Sequence, residues 1–310
     1  MERDRSLDGL KFILIFLVVI MHMNYSQPFG INVNRIIHTF LMPMFILLSG
    51  YFTKVTTWEH YFRWARKIVG IFLIFTALHS LTSVWLYEKT FMEAFLNGLV
   101  EPFLAMWYLV SLFTWRTFLQ ILPTSVVQSG WKIIMGGVIV ALLAGFVPLG
   151  HEFSFQRTMA WLPFFLLGFQ FRQWNAIVWI REQKSWPFIV ASLICCVLAL
   201  YLPRNMPREA YVGIGDMLMR GKLLINSFVL SICILRLIPP VWAGRMGWLG
   251  GLTMYFYLYH TLINRTQMFY FEQHGIKVNI LEAMLIGVAY IIVILLMSRL
   301  KPFRWLMLQK

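Results

Sequence analysis

Long apolar runs separated by short polar connections dominate this chain, and none shows the strict alternation of a half-buried strand. Ten such segments can be marked, at about 7–27, 36–53, 68–87, 102–121, 132–148, 158–172, 186–202, 221–239, 248–270 and 279–298. Apolar stretches of about 20 residues match the hydrocarbon thickness of a bilayer. A backbone exposed to lipid must satisfy its own hydrogen bonds, which selects helices or a closed barrel. Barrel strands are short and alternating, so the pattern predicts an all-α integral membrane protein of about ten transmembrane helices. The predicted organisation is a single membrane-embedded domain over 1–310, with no soluble domain and no inverted repeat.

The first run, "SLDGLKFILIFLVVIMHMNY" at Ser6–Tyr25, raises a question. Its strictly apolar part, Phe12–Met21, is shorter than a span and reaches full length only by taking in Asp8, Lys11 and His22. At 100° per residue, the eleven steps from Lys11 to His22 make about three turns, so both project from one helix face, about 16 Å apart along the axis. Asp8, three residues before Lys11, joins that stripe and predicts an ion pair near the helix start. Intramembrane ionisable groups are rare and mark pathways or sites. His22 is therefore read as a general base, since an imidazole with a pKa of about 6.5 suits taking a proton from a hydroxyl at neutral pH. The alternative is a structural hydrogen bond. For Lys11 the alternative is an anchor that snorkels to the interface. No small-x-small cleavage site follows in "SQPFGINVN", so the run is read as a retained span rather than a signal peptide.

Three more stretches carry candidate chemistry. In "FRWARKI", Arg63, Arg66 and Lys67 share one helical face. They read either as topology-setting charges or as an anion clamp, because guanidinium groups suit phosphates. In "PMFILLSGYF", Pro43 and Ser49–Gly50 mark a kink or a close packing point in span two. In "LGGLTMYFYLYHTL", Tyr255, Tyr259 and His260 give span nine a polar lining beside its glycines. "MWYL" at Met106–Leu109 and "LPFFLLGF" at Leu162–Phe169 carry little meaning alone.

Composition strengthens the membrane reading: 59% of residues are hydrophobic and 13% charged, against roughly half and a quarter in soluble domains. Thirteen tryptophans suit a chain that anchors many helix ends at the interface. The net charge of +14 sits in short connections and not on a basic soluble face, which excludes nucleic acid as a partner. Seventeen cations fall on the N-terminal side of the predicted spans and nine on the other, with Arg116 inside a span. The positive-inside rule then places both termini in the cytoplasm. Cys195, Cys196 and Cys233 lie in apolar runs without metal-ligand spacing, and no metal site is predicted.

Taken in order, these stretches resemble the acyltransferase-3 family of multi-pass membrane O-acyltransferases, and most of all its sugar-modifying branch related to fucose O-acetylases. The matching features are Lys11 and His22 with ten residues between them, "SGYF" closing span two, the Arg63/Arg66 pair, "MWYL", and the Gly-rich span nine ending in Tyr259 and His260. Lys11 stands where many members carry Arg. The resemblance implies about ten helices in a bacterial-type inner membrane. It also implies acetyl-CoA as acyl donor, no permanently bound cofactor, and a carbohydrate or lipid-linked glycan hydroxyl as acceptor. On that basis His22 is the catalytic base and the Arg63/Arg66 pair meets CoA. The residue reading adds Lys67 to the CoA site, lets Asp8 and Lys11 order the cytoplasmic end, and offers Arg157, Tyr259 and His260 as acceptor contacts. A transporter would also carry polar groups at mid-membrane, but its paired broken helices are not evident. A receptor would need no interior His22.

Overall fold

The computed structural model describes residues 4–22, 28–202 and 207–307, and among them every regular element is helical. The helices are α1 (Arg5–Met21), α2 (Pro28–Phe52), α3 (Trp58–Tyr87), α4 (Phe91–Val100) and α5 (Trp107–Ile121). Next come α6 (Thr124–Val127), α7 (Trp131–Leu143), α8 (Phe155–Gln173), α9 (Ala176–Glu182) and α10 (Trp186–Ala199). The last are α11 (Ile214–Leu237), α12 (Pro240–Arg245), α13 (Thr253–Gln273), α14 (Ile280–Arg299) and α15 (Lys301–Leu306). Among the described residues five stretches are long and apolar enough to cross a membrane: Gly30–Phe52, Trp58–Tyr87, Phe91–Ile121, Ile214–Leu237 and Ile280–Arg299. Trp131–Phe146 and Trp186–Ala199 are shorter apolar helices. On α14, the large side chains Leu281, Leu285, Val288, Ile292 and Leu296 form one exposed stripe at helical spacing. Such a face belongs against lipid, and the protein is an integral membrane protein.

Helix boundaries depart from the apolar pattern in two instructive places. Helix α3 starts at Trp58, ten residues before its apolar run, so the cationic stretch is the first part of the span itself. Its 30 residues extend about 45 Å at 1.5 Å per residue, beyond a hydrocarbon core of about 30 Å. Helix α1 ends at Met21, and His22 is its C-cap where a longer span to residue 27 was expected. Residues 23–27 lie outside the described residues. Two cations of the charge count, Arg220 and Arg265, lie within helices α11 and α13 and not in connections. Arg3, Arg204 and Lys310 from the same count also fall outside the described residues.

The chain forms two compact units: Met1–Asn34, Trp58–Val110 and Ala243–Lys310 in the first, Arg35–Thr57 and Ser111–Trp242 in the second. In the first unit α1 and α13 run parallel, because Phe12 meets Phe256 and, further along both helices, His22 meets His260. Helices α3 and α13 are parallel too, pairing Phe75 with Tyr259, His79 with Thr261 and Ser83 with Arg265. Helix α14 runs antiparallel to α13, since Tyr290 donates to Gln267 and Phe303 beyond it returns to Tyr259. Glycine permits the closest approach: a Cβ on Gly9 would stand 1.7 Å from the Ala243 carbonyl oxygen, and one on Gly250 2.5 Å from Asp8 Cβ. Without a hydrophobic drive between helices in lipid, such small-residue packing is what holds them together.

The second unit uses the same device. Gly50 on α2 and Gly168 on α8 face each other's backbones, where added Cβ atoms would come within 2.0 Å of the Phe165 oxygen and 1.8 Å of the Leu47 oxygen. Span two therefore runs unbroken through Pro43, and its glycine serves close packing. A fully buried cation, Arg220, staples the far side by donating to the carbonyls of Ala141 (3.1 Å) and Glu209 (2.8 Å) and to Gln156 Oε1 (3.1 Å). Its guanidinium also lies 4.4 Å from the centre of the Tyr211 ring. The cysteines are free thiols, with Cys195 and Cys233 buried.

Candidate active site

The site grows from the two ends of α1. At its start the Asp4 side chain caps the helix by accepting from the backbone N–H groups of Ser6 (2.8 Å) and Leu7 (3.3 Å). One turn on, Lys11 Nζ pairs with Asp8 Oδ1 at 2.9 Å, with Asp8 only 2% accessible and Lys11 18%. The expected ion pair forms, walled in by the turn that carries Gly250. At the other end two side-chain amides replace the missing intrahelical donors. Asn34 Nδ2 donates to the Met21 carbonyl and Asn264 Nδ2 to that of His22, each at 3.4 Å. These amides terminate the helix and hold His22 at its tip.

His22 is half-buried, and its Nδ1 lies 2.7 Å from the Val18 carbonyl oxygen. A carbonyl can only accept, so Nδ1 carries the proton and Nε2 is the basic nitrogen of the neutral ring. His260, fully buried, has the same arrangement: Nδ1–H donates to the Phe256 carbonyl at 2.7 Å, which leaves Nε2 as the basic nitrogen. The two imidazoles meet edge to face with centroids 5.4 Å apart. Phe256, His260 and Asn264 recur every four residues and so share the face of α13 turned to α1. Tyr259 points elsewhere: its hydroxyl donates to the Phe303 carbonyl at 2.9 Å, and its ring packs on Phe75 and Tyr255.

Helix α3 supplies a third imidazole, His79, which sequence reasoning passed over. It is wholly buried, and its Nε2 lies 3.1 Å from Thr261 Oγ1. Arg265 braces it from α13, donating to the His79 carbonyl (2.8 Å) and to Ser83 Oγ (2.6 Å). His79 and Arg265 both sit in apolar runs, so the rule that singled out His22 would have found them. Among the described residues no group of three or more His, Cys, Asp or Glu is arranged to hold a metal ion.

Arg63, Arg66 and Lys67 share one face in the first turns of α3, with Arg63 and Arg66 exposed. Arg63 pairs with Glu59 at 2.9 Å, a contact so open to solvent that it contributes under about 1 kcal/mol and yields readily to a stronger anion. Because α1 and α3 are parallel, Lys11 and Arg66 lie toward the same end of the unit. His22 lies about 16 Å from the first, and His79 about 20 Å from the second, measured along the helix axes. Arg157 belongs to the second unit, half-buried in the first turn of α8.

The family model described as an acyltransferase domain, that of the acyltransferase-3 family, matches residues 4–299. The chain belongs to that family and is a membrane acyltransferase. Comparison with curated proteins gives no match, and comparison with solved structures gives none either.

Proposed function

We propose that this acyltransferase moves an acetyl group from cytoplasmic acetyl-CoA to a hydroxyl of a carbohydrate or lipid-linked glycan, as in the sugar-modifying branch of its family. The observation that carries the reading is an axial one. Cations gather at one end of the parallel helices α1 and α3, and basic imidazole nitrogens wait about 16–20 Å further in. That spacing suits a ligand whose charged phosphates and reactive thioester lie at opposite ends of a long thin arm. Arg63, Arg66 and Lys67 receive the phosphates. The Lys11–Asp8 pair orders the entrance.

His22 Nε2 takes the proton of the acceptor hydroxyl as its oxygen attacks the thioester carbonyl. Collapse of the tetrahedral intermediate breaks the carbon–sulfur bond, and the CoA thiolate recovers the proton from His22. His260 lines the acceptor side. Tyr259, held by Phe303, keeps α13 in register so that His260 faces His22. Both termini then lie in the cytoplasm of a bacterial-type inner membrane, crossed about ten times. The test is to reconstitute the purified protein in liposomes with acetyl-labelled acetyl-CoA and a panel of methyl glycosides of glucose, galactose, mannose and fucose. Label appearing in a hydroxylamine-labile sugar ester supports the reading, and no labelled ester with any glycoside overturns it.

A further inference from the structure

His79 is the one fully buried imidazole whose role the scheme above leaves open. The Thr261 hydroxyl sits 2.6 Å from the Leu258 carbonyl, which takes its only proton. At its 3.1 Å contact with His79 that hydroxyl therefore accepts, so His79 Nε2 carries the proton and Nδ1 holds the lone pair. This Nδ1 is buried without a hydrogen-bond partner among the described residues, and so is His260 Nε2. Burying an acceptor unmet costs free energy, yet two imidazoles of the unit each bury one, on neighbouring helices within electrostatic reach of each other. The ring is not loosely placed either. It stacks on Phe103 with centroids 5.4 Å apart and 24° between planes, and Arg265 grips its backbone carbonyl and Ser83 one turn on. A rigid frame thus presents two basic nitrogens, on His260 and His79, and each can accept a hydrogen bond. Such acceptors recognise hydroxyl donors.

We propose that His79 is an acceptor-binding residue whose Nδ1 takes a hydrogen bond from a second, non-reacting hydroxyl, so that the enzyme selects a neutral polyol over a simple alcohol. The inference rests on the acetyl-transfer reading above and deepens it.

Two substitutions separate binding from mere packing. His79→Asn keeps an acceptor near the Nδ1 position but is too short to reach Thr261. His79→Gln reaches Thr261 with its amide but leaves nothing at Nδ1. Both are assayed in the liposomes with the best methyl glycoside and its monodeoxy analogues, after an unchanged KM for acetyl-CoA has shown the site intact. His79→Gln should raise the acceptor KM about tenfold with little change in kcat, and His79→Asn should recover most of that loss. One monodeoxy sugar should cost wild type a similar factor yet cost His79→Gln nothing further, because hydroxyl and nitrogen form one contact.

If His79 only pins α3 to α13, the order reverses and Asn is the worse variant, which overturns the inference while acetyl transfer stands. Wild type treating every monodeoxy analogue like its parent also overturns it, even if neither variant folds. Transfer to no glycoside at all removes the acetyl-transfer reading and this inference together.

Discussion

Removing one member of the Lys11–Asp8 pair should destabilise the protein asymmetrically. The contact is 2.9 Å long, but the partners differ in access to water, with Asp8 at 2% and Lys11 at 18%. Lys11→Ala strands a carboxylate hemmed in by the Gly250 turn, and breaking a buried pair in this way costs about 3–5 kcal/mol. Asp8→Asn instead leaves an ammonium on a long stem that reaches toward the interface. Its cost is that of a charge-assisted hydrogen bond, about 1.5–3 kcal/mol. At about 2–4 °C per kcal/mol for a large domain, Lys11→Ala should lower the unfolding midpoint by about 10 °C and Asp8→Asn by roughly half as much. Combining Asp8→Asn with Lys11→Met removes both charges and should recover part of the loss. Tryptophan fluorescence during heating in detergent, at one fixed scan rate, reads these midpoints. A larger loss for Asp8→Asn than for Lys11→Ala, or a double variant as poor as the sum of the singles, would refute the reasoning.

Gly50→Ala should lower the unfolding midpoint in the same assay, because its methyl meets the Phe165 carbonyl and overpacking costs about 1–3 kcal/mol. Arg220→Lys should destabilise nearly as much as Arg220→Met, since a lysine cannot span the three oxygen acceptors that the guanidinium bridges. Arg66→Ala should weaken CoA binding about 10- to 150-fold by calorimetry, with Arg66→Lys recovering only part of it. Equal CoA affinity in all three proteins would make Arg66 a membrane anchor.

The helical membrane architecture was legible in the chain because apolar length and the lack of alternation are local properties. The Asp8–Lys11 pair was legible for the same reason, being a three-residue spacing on one helix. The end of α1 was not. Hydropathy has no term for Asn34 and Asn264, whose amides close the helix at His22 from positions far along the chain. The partnership of His22 with His260 needed α1 and α13 to run side by side, which no local pattern encodes. His79 and Arg265 are both visible in the chain as ionisable residues in apolar runs. Their meaning lies in their contact across two helices. Tyr259 stands beside His260 in sequence, yet one residue is a 100° turn, and its hydroxyl donates to the Phe303 carbonyl, a contact that no local pattern encodes.

The central claim is that a basic nitrogen on His22, set by the Val18 carbonyl, performs the proton transfer. Its most direct test is acetyl transfer from labelled acetyl-CoA to a methyl glycoside by folded His22→Ala and His22→Gln proteins, with CoA affinity measured alongside. Both variants should bind CoA as wild type does while kcat falls about 10²- to 10⁴-fold. A folded His22→Ala protein that turns over within a few-fold of wild type would contradict the account.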